Sequence, residues 1–242
     1  MIEPPPPAEL QPDADEGPDG LEQIRASLRA GGGDLPEVIE ALPPGEMARA
    51  MAHLEPEEQQ LVLRLLDPEK AADVLDDLPE EQAAGLLEEL PASEAAAIVG
   101  EFDSDDRADV LSEMGEEEAA AILEAMPARE ATETRELLSY APDTAGGVML
   151  KEFIAYPMDW TVEQVLEDLR QNAAEYAHYN VQYFYVVDER EALAGVLRLR
   201  DMLLSPQGRP IAEVMIRNPR SVRADTELTR LQQLFEEHSY VA

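Results

Sequence analysis

The residues most able to do chemistry in this sequence are carboxylates, and they are densest between Asp103 and Asp109. If this segment is helical, Asp105 and Asp109 lie one turn apart on the same face, where two like charges repel unless a cation neutralises them. Hard oxygen ligands of this kind suit Mg²⁺ or Ca²⁺. Similar clusters are also common on solvated faces that bind nothing. Both interpretations remain open on these residues alone.

Other kinds of site find no support in the sequence. The segment is not an EF-hand, because no glycine stands at the sixth position from Asp103 and Met114 occupies the twelfth. The chain has no cysteine, and its three histidines lack metal-ligand spacing, which argues against zinc. A nucleophile elbow, a phosphate-binding loop and a dinucleotide-binding motif are all missing from the sequence. We therefore predict that the chain is not an enzyme.

The composition is strongly acidic. The 242 residues include 53 Asp and Glu but only 18 Lys and Arg, which gives a net charge of −35 and excludes a nucleic-acid binder that works by phosphate neutralisation. No apolar run is long enough to cross a membrane, and the N-terminus lacks the basic and apolar regions of a signal peptide. We therefore expect a cytoplasmic chain with no transmembrane segment. Adaptation to high salt would produce the same acidity independently of function.

The charge divides the chain into two parts of different character. Residues 1–140 hold 37 acidic and 8 basic side chains, a net charge of −29, whereas residues 141–242 hold 16 and 10, a net charge of −6. Residues 1–20 are rich in Pro, Asp and Glu and poor in large apolar side chains. Such a composition cannot offset the entropy lost on ordering, so we predict a disordered tail there.

A large apolar residue recurs every twelve positions in the acidic part. These anchor residues are Leu42, Leu54, Leu66, Leu78, Leu90, Phe102, Met114, Met126 and Leu138. Most are followed by Pro and acidic residues, which suit the first turn of a helix. Within one repeat the apolar residues are Ala71, Val74, Leu75 and Leu78, spaced as on one helical face. Helices of two to three turns cannot bury such a face alone, so we predict an all-α superhelical solenoid over residues 21–140.

From residue 141 the twelve-residue period ends, and short β-type runs alternate with helical patterns. We predict a linker over residues 141–148 and an α/β unit over residues 149–206. Its expected elements are a strand over 153–156, a helix capped by Thr161, a strand over 183–187, a returning strand over 194–197 and a helix from 199. The opening elements recur in residues 207–242, with a strand near Ser221, a helix over 227–238 and a strand at 240–242. We therefore expect an incomplete second unit with an unpaired strand edge.

These features together resemble the cytoplasmic region of MgtE-type magnesium transporters. The motifs that carry the resemblance are the twelve-residue repeats, LSYAPDTAGGVM at 138–149, WTVEQVL at 160–166, YVVDE at 185–189 and GVLRLRD at 195–201. The resemblance covers residues 21–242. It implies a helical MgtE N-terminal domain over residues 21–140, a first CBS (cystathionine-β-synthase-like) unit over 149–206 and an incomplete second CBS unit over 207–242.

The resemblance also implies a function. It identifies the chain as the Mg²⁺-sensing regulatory region of a homodimeric magnesium transporter, on the cytoplasmic side of the inner membrane. Mg²⁺ that bridges acidic faces of the solenoid and the CBS units would close the transporter. The implied partners are Mg²⁺, a second copy of the chain and the membrane domain of the full-length transporter, with no nucleic acid among them.

Candidate site residues follow from the resemblance position by position. The implied Mg²⁺ ligands are Asp73, Asp105 and Asp109, and the positions that can hold an adenine nucleotide such as ATP are Tyr183, Arg200 and Asp201. Arg198 departs from the family pattern, which has a small hydroxyl residue there, although an arginine can itself pair with phosphate.

Two rival functions remain. The solenoid also resembles the helical repeats of flagellar rotor switch proteins, which suggests a protein-interaction scaffold, although the CBS-like half argues against it. The second rival is an adenine-nucleotide sensor, which would depend on the altered motif around Arg198.

Overall fold

The structure, a computed structural model, describes residues 20–42, 45–174, 176–179 and 181–237. Within these residues the helices are α1 (Gly20–Ala30), α2 (Leu35–Glu40), α3 (Glu46–Met51), α4 (Pro56–Leu65), α5 (Pro68–Asp76), α6 (Glu80–Glu88), α7 (Ala92–Val99), α8 (Ser104–Ser112), α9 (Glu116–Ala125), α10 (Ala128–Leu137), α11 (Val162–Gln171), α12 (Leu199–Leu203) and α13 (Leu228–Glu237). The strands are β1 (Ala155–Pro157), β2 (Tyr183–Val187), β3 (Leu193–Arg198) and β4 (Ile216–Arg217), and 3₁₀ turns lie at Tyr176–His178 and Ile211–Glu213. The predicted fold class, short repeated helices followed by an α/β unit, is confirmed.

The anchor residues lie in the turns between helices. Leu66, for example, follows α4 and directly precedes Asp67, whose side chain accepts a hydrogen bond of 3.1 Å from the backbone N–H of Lys70 at the start of α5. Pro68 takes the first helical position, where a missing N–H costs nothing. Seven of the nine anchor residues are only 6–8% exposed, and Leu42 and Leu138 are half-buried.

One detail of the predicted repeat is wrong. Ala71, Val74 and Leu75 are buried on α5, but Leu78 lies beyond the last helical residue, Asp76, in the following turn. A buried apolar residue just before a helix fixes the direction in which the chain enters it, as in a hydrophobic staple. The anchor residue therefore marks the start of the next helix and does not extend the helix before it. The helices up to α10 accordingly have only 6 to 11 residues.

The odd-numbered helices up to α9 and the pair α8 and α10 pack on the helix two places away along the chain, whereas α2, α4 and α6 contact other neighbours. Contacts join α1 to α3, α3 to α5, α5 to α7, α7 to α9 and α8 to α10. The chain divides into two compact units, of which one takes in Met1–Phe102 with Glu113–Met126 and the other Asp103–Ser112 with Pro127–Ala242, insofar as these residues are described. Helix α8 belongs to the second of these units because it packs on α10.

The sheet has the strand order β1-β2-β3-β4, with β1 parallel to β2 and the other pairs antiparallel. The predicted hairpin of β2 and β3 is confirmed, and Asp188 closes its turn by accepting hydrogen bonds from the backbone N–H groups of Arg190 and Ala192. The first strand begins at Ala155, two residues later than expected.

The strand expected near Ser221 is wrong, because the described chain is irregular there and β4 lies at Ile216–Arg217. The register between β3 and β4 explains why the strand lies at this position. β4 pairs with β3 at Gly195, where an added Cβ would lie 2.9 Å from the carbonyl oxygen of Ile216. The absence of a side chain at Gly195 therefore lets β4 approach.

The core of the α/β unit lies on one face of this sheet. Phe184, Val186 and Leu197 point into it and meet Val162 and Val165 of α11. Thr161 caps α11 as predicted, in a reciprocal pair of hydrogen bonds with Gln164. The alternate residues of β2 and β3 face away from this core.

A buried polar network fixes α11 against β1. The hydroxyl groups of Tyr156 and Tyr176 donate to Asp168 Oδ2 at 2.8 and 3.2 Å, and the amide of Asn172 donates to Asp168 Oδ1 at 2.9 Å. Burial, together with the hydrogen bond to Asp168, raises the pKa of Tyr156. Tyr156 therefore stays protonated and remains a donor.

The predicted linker is held by backbone hydrogen bonds to the segment before α13. The backbone N–H of Ala145 donates to Thr226 at 2.7 Å, that of Gly146 donates to Ala224 at 2.8 Å, and that of Leu228 donates to Asp143 at 2.9 Å. Gly147 lies inside the same turn, where an added Cβ would be 2.7 Å from the carbonyl oxygen of Ala141. This junction therefore requires a residue without a side chain.

Some expectations fall outside the described residues. The predicted tail is one, apart from Gly20, which is buried in the first turn of α1. The strand at 240–242 is another. None of the described helices has the length and apolar character needed to cross a membrane.

We expect Gly147→Ala to destabilise the α/β unit by about 1–3 kcal/mol, because its Cβ would press on the backbone of the junction. Gly85→Ala is the matched control, since Gly85 is an exposed helical residue with open space around its Cβ position. It should stabilise α6 by about 0.5–1 kcal/mol. Urea unfolding followed by Trp160 fluorescence and by circular dichroism measures both effects. Equal shifts of one sign in the two variants would contradict the close fit at Gly147.

Candidate functional site

Two of the predicted Mg²⁺ ligands lie on α8. Asp105 and Asp109 are half-buried and one helical turn apart, and Asp106 between them is exposed. The Oδ1 atom of Asp105 is buried and makes no hydrogen bond within the described residues. A carboxylate oxygen held in that state favours a nearby cation, because a buried acceptor without a partner loses its solvation.

The third predicted ligand, Asp73, lies on α5. It is exposed and lines a cavity of about 230 Å³ together with Lys70 and Asp77. Lys70 Nζ is 2.6 Å from Glu40 Oε1, and this hydrogen bond raises the pKa of Lys70. Lys70, one helical turn before Asp73 on α5, is therefore already paired with Glu40.

The described part of the chain contains no preformed metal cage. Among the described residues no group of three or more His, Asp or Glu side chains is arranged to hold a metal ion. Mg²⁺ does not need such a cage, because it commonly keeps several waters and binds through one or two carboxylates. The pair on α8 fits that mode of binding.

Helix α8 is bonded to the chain just before β1. Ser104, only 2% exposed, donates to Glu152 Oε2 at 2.7 Å and accepts a 2.7 Å hydrogen bond from the backbone N–H of Lys151. The Lys151 ammonium lies 2.9 Å from Glu136 Oε2 on α10. We call these four residues the Ser104 clamp. It connects the helix that carries Asp105 and Asp109 to the sheet unit.

The sequence gives no indication of the Ser104 clamp. Ser104 and Glu152 are 48 positions apart, and neither belongs to a motif. The only signal is a serine in a helical first turn, which is ordinarily read as a cap. Its actual partner depends on how residues 151–152 pass α8, which local patterns do not specify.

A cavity of about 690 Å³ opens beside β1 and β2, on the side of the sheet away from the core. Its aromatic walls are Phe153, Tyr183 and Tyr185, and the rings of Phe153 and Tyr185 meet edge to face at 5.7 Å. We call it the aromatic cavity. Its volume lies in the range of small-molecule sites, and flat rings of this kind can receive a planar base.

The predicted nucleotide residues are only partly brought together. Tyr183 lines the aromatic cavity, whereas Arg200 and Asp201 lie on α12 and are not among its lining residues. Arg200 is well exposed and its Nε lies 3.9 Å from Asp201 Oδ1. The charged residues of the lining are both acidic, Glu152 and Glu191. The cavity itself therefore suits the base of a nucleotide and not its phosphates.

Comparison with known proteins gives consistent matches along the chain. Residues 42–143 match the family model described as the MgtE intracellular N domain, and residues 145–207 match that of the CBS domain. The magnesium transporter MgtE of Thermus thermophilus is 37% identical over 110 residues, which are 45% of this chain and 24% of that protein. The matched region spans about a quarter of the length of each curated relative.

Two solved structures are similar over most of the chain. One is the cytosolic domain of the Mg²⁺ channel MgtE in complex with ATP, with 32% identity, a TM-score of 0.80 and coverage of 91% of this chain and 90% of that one. The other is the soluble part of a magnesium transporter, with 24% identity, a TM-score of 0.75 and coverage of 91% and 87%, and it supports the fold alone.

We expect Ser104→Ala to loosen the Ser104 clamp, because Glu152 loses the Ser104 donor and the Lys151 N–H keeps only its 3.1 Å hydrogen bond to Glu152 Oε2. The cost should be about 1–3 kcal/mol. Hydrogen exchange of the Lys151 amide should become faster. Ser112→Ala on the same helix is the control, since Ser112 is exposed and donates only to the Asp109 carbonyl within α8. Unchanged exchange at Lys151 in Ser104→Ala would show that the clamp does not hold this segment.

Proposed function

The chain belongs to the MgtE family of magnesium transporters, and we propose that it is the Mg²⁺-sensing regulatory region of such a transporter. The observation that supports this most is its likeness, over nine-tenths of both chains, to the cytosolic domain of the Mg²⁺ channel MgtE. A non-enzymatic role accords with relatives that are named as magnesium transporters. A free-standing scaffold of the flagellar switch type has no comparable support.

The proposed mechanism is neutralisation of like charges. Residues 1–140 carry a net charge of −29, and a compact arrangement of such a chain is opposed by self-repulsion. Mg²⁺ bound by Asp73, Asp105 and Asp109 lowers that repulsion and favours the closed transporter. A ligand shifts a conformational equilibrium only by binding one state better than another. The carboxylates supply this preference when one state brings them closer to a shared ion.

The α8 pair is the strongest part of this proposal. Asp105 and Asp109 share one helical face, and the buried Oδ1 of Asp105 lacks a hydrogen bond within the described residues. Glu58, an equally acidic residue, is 3.2 Å from the Arg25 guanidinium. A carboxylate that is already paired with an arginine gains less from Mg²⁺ than the buried Oδ1 of Asp105, which accepts no hydrogen bond in the described residues.

Partners of this region follow from its surface. Eleven of the thirteen large apolar side chains that are exposed in the described residues lie between Val148 and Phe235. Exposed apolar side chains point to a protein interface where they adjoin one another in a patch. We propose that this part of the chain meets a second copy of itself and the membrane domain of the transporter, at the cytoplasmic face of the membrane.

Adenine-nucleotide binding is a second candidate function, favoured by the aromatic cavity. The similar solved structure is a complex with ATP, and Tyr183, which the resemblance implies as a nucleotide position, lines the cavity. In this proposal the cavity takes the adenine and ATP acts as a second ligand beside Mg²⁺.

We expect the radius of gyration of the chain to fall when Mg²⁺ is added in the millimolar range, because neutralised carboxylates no longer repel each other. Small-angle scattering at constant ionic strength measures this, with Na⁺ replacing Mg²⁺ as the control. High-salt adaptation alone predicts the same radius in both solutions. That result would exclude the sensing mechanism.

We expect Asp105→Asn to raise the midpoint of this Mg²⁺ titration on the order of tenfold, since one charge-assisted contact of about 1.5–3 kcal/mol is lost. Asp109→Asn and Asp73→Asn should act in the same direction. Glu57→Asn and Glu117→Asn remove equal charge from exposed first-turn residues and should have little effect. Equal shifts from all five variants would favour diffuse screening over defined sites.

A further inference from the structure

Arg198 lies beside the aromatic cavity. Arg198 is exposed at the end of β3 and makes no hydrogen bond or ion pair through its side chain within the described residues. Three later arginines are engaged, since Arg200 lies near Asp201, Arg209 near Glu213 and Arg223 near Asp225, whereas Arg190 in the hairpin turn bonds only through its backbone in the described residues. Arg198 is therefore available to an anion from solution.

The sheet register places this arginine next to a wall of the cavity. Arg198 pairs directly with Tyr183 in the antiparallel ladder of β2 and β3. Side chains of directly paired residues lie on the same face of a sheet, about 4.5–5.5 Å apart at Cβ. The neighbouring pair, Phe184 and Leu197, is buried in the core on the opposite face. Arg198 and Tyr183 therefore lie together on the face that bears the aromatic cavity.

The acidic lining of the aromatic cavity makes a nearby arginine important for binding an anionic ligand. Its lining holds two carboxylates and no Lys or Arg, so a phosphate inside it would meet like charge. A planar base can occupy the aromatic walls only if its anionic end is held outside them. The guanidinium of Arg198 is planar and can bind two phosphate oxygens at once.

We propose that Arg198 is the phosphate-binding residue of the aromatic cavity and makes the site select phosphorylated nucleosides over unphosphorylated ones. This inference rests on the proposed binding of an adenine nucleotide at the same site. In this proposal Arg198 binds the phosphate of the ligand, and Phe153, Tyr183 and Tyr185 contact its planar base.

Binding of adenosine, AMP and tripolyphosphate to the whole chain, measured by calorimetry without divalent cations, tests this proposal. We expect AMP to bind on the order of tenfold more tightly than adenosine, as one charge-assisted contact would give. Arg198→Ser should remove this preference by weakening AMP while adenosine is unchanged, and Arg198→Lys should retain part of it. Arg190→Ser is the control, because Arg190 is an equally exposed arginine in the turn at the other end of the hairpin.

Each other outcome counts against a defined claim. An unchanged preference for AMP in Arg198→Ser, or an equal loss in Arg190→Ser, would overturn the role of Arg198 and leave nucleotide binding standing. Tripolyphosphate that binds as tightly as AMP would show that the aromatic walls are not used, and would also overturn it. If neither adenosine nor AMP binds the unaltered chain, the nucleotide proposal itself fails, and Arg198 loses its role with it.

Discussion

The burial of one apolar side chain in each turn from α3 to α10 is the constraint on which the helical part depends. Helices of 6 to 11 residues are marginal in water by themselves. Leu66 and its equivalents lie buried just before each new helix and fix its starting point. A regular spacing of twelve residues then repeats the same short helix, and α1, α3, α5, α7 and α8 each pack on the helix two places further on. The anchor residues thus determine which positions remain outside and free to carry charge.

Much of the acidity follows from this helical arrangement. Short helices mean many N-termini, and carboxylates in the first turn interact favourably with the positive end of the helix. Glu57 and Glu58 of α4, Glu80 and Glu81 of α6 and Glu116–Glu118 of α9 occupy such positions. Acid density alone is therefore weak evidence for cation binding. Asp105 differs from these residues, because one of its oxygens is buried without a hydrogen bond in the described part of the chain.

The sequence predicts the parts of this fold that depend on periodicity and local capping. The twelve-residue repeat, the hairpin of β2 and β3 and the Thr161 cap can each be predicted from residues that lie close together in the sequence. The position of β4 cannot be predicted in this way, because it depends on the close approach of Ile216 to Gly195 of β3. Tyr183 could be named from the family resemblance, whereas the Ser104 clamp and the position of Arg198 beside the aromatic cavity depend on contacts or pairing between distant residues.

The Ser104 clamp brings the two candidate sites into one connected set of bonds. Ser104 begins the helix that carries Asp105 and Asp109, and its partner Glu152 is a wall residue of the aromatic cavity. Movement of α8 away from residues 151–152 must break two partly buried hydrogen bonds to Ser104, at a cost of about 0.5–1.5 kcal/mol for each. Movement that preserves them must carry the cavity wall along with the helix. The carboxylates of α8 and the acidic wall of the aromatic cavity are therefore mechanically joined, although they are separated by more than forty residues of sequence.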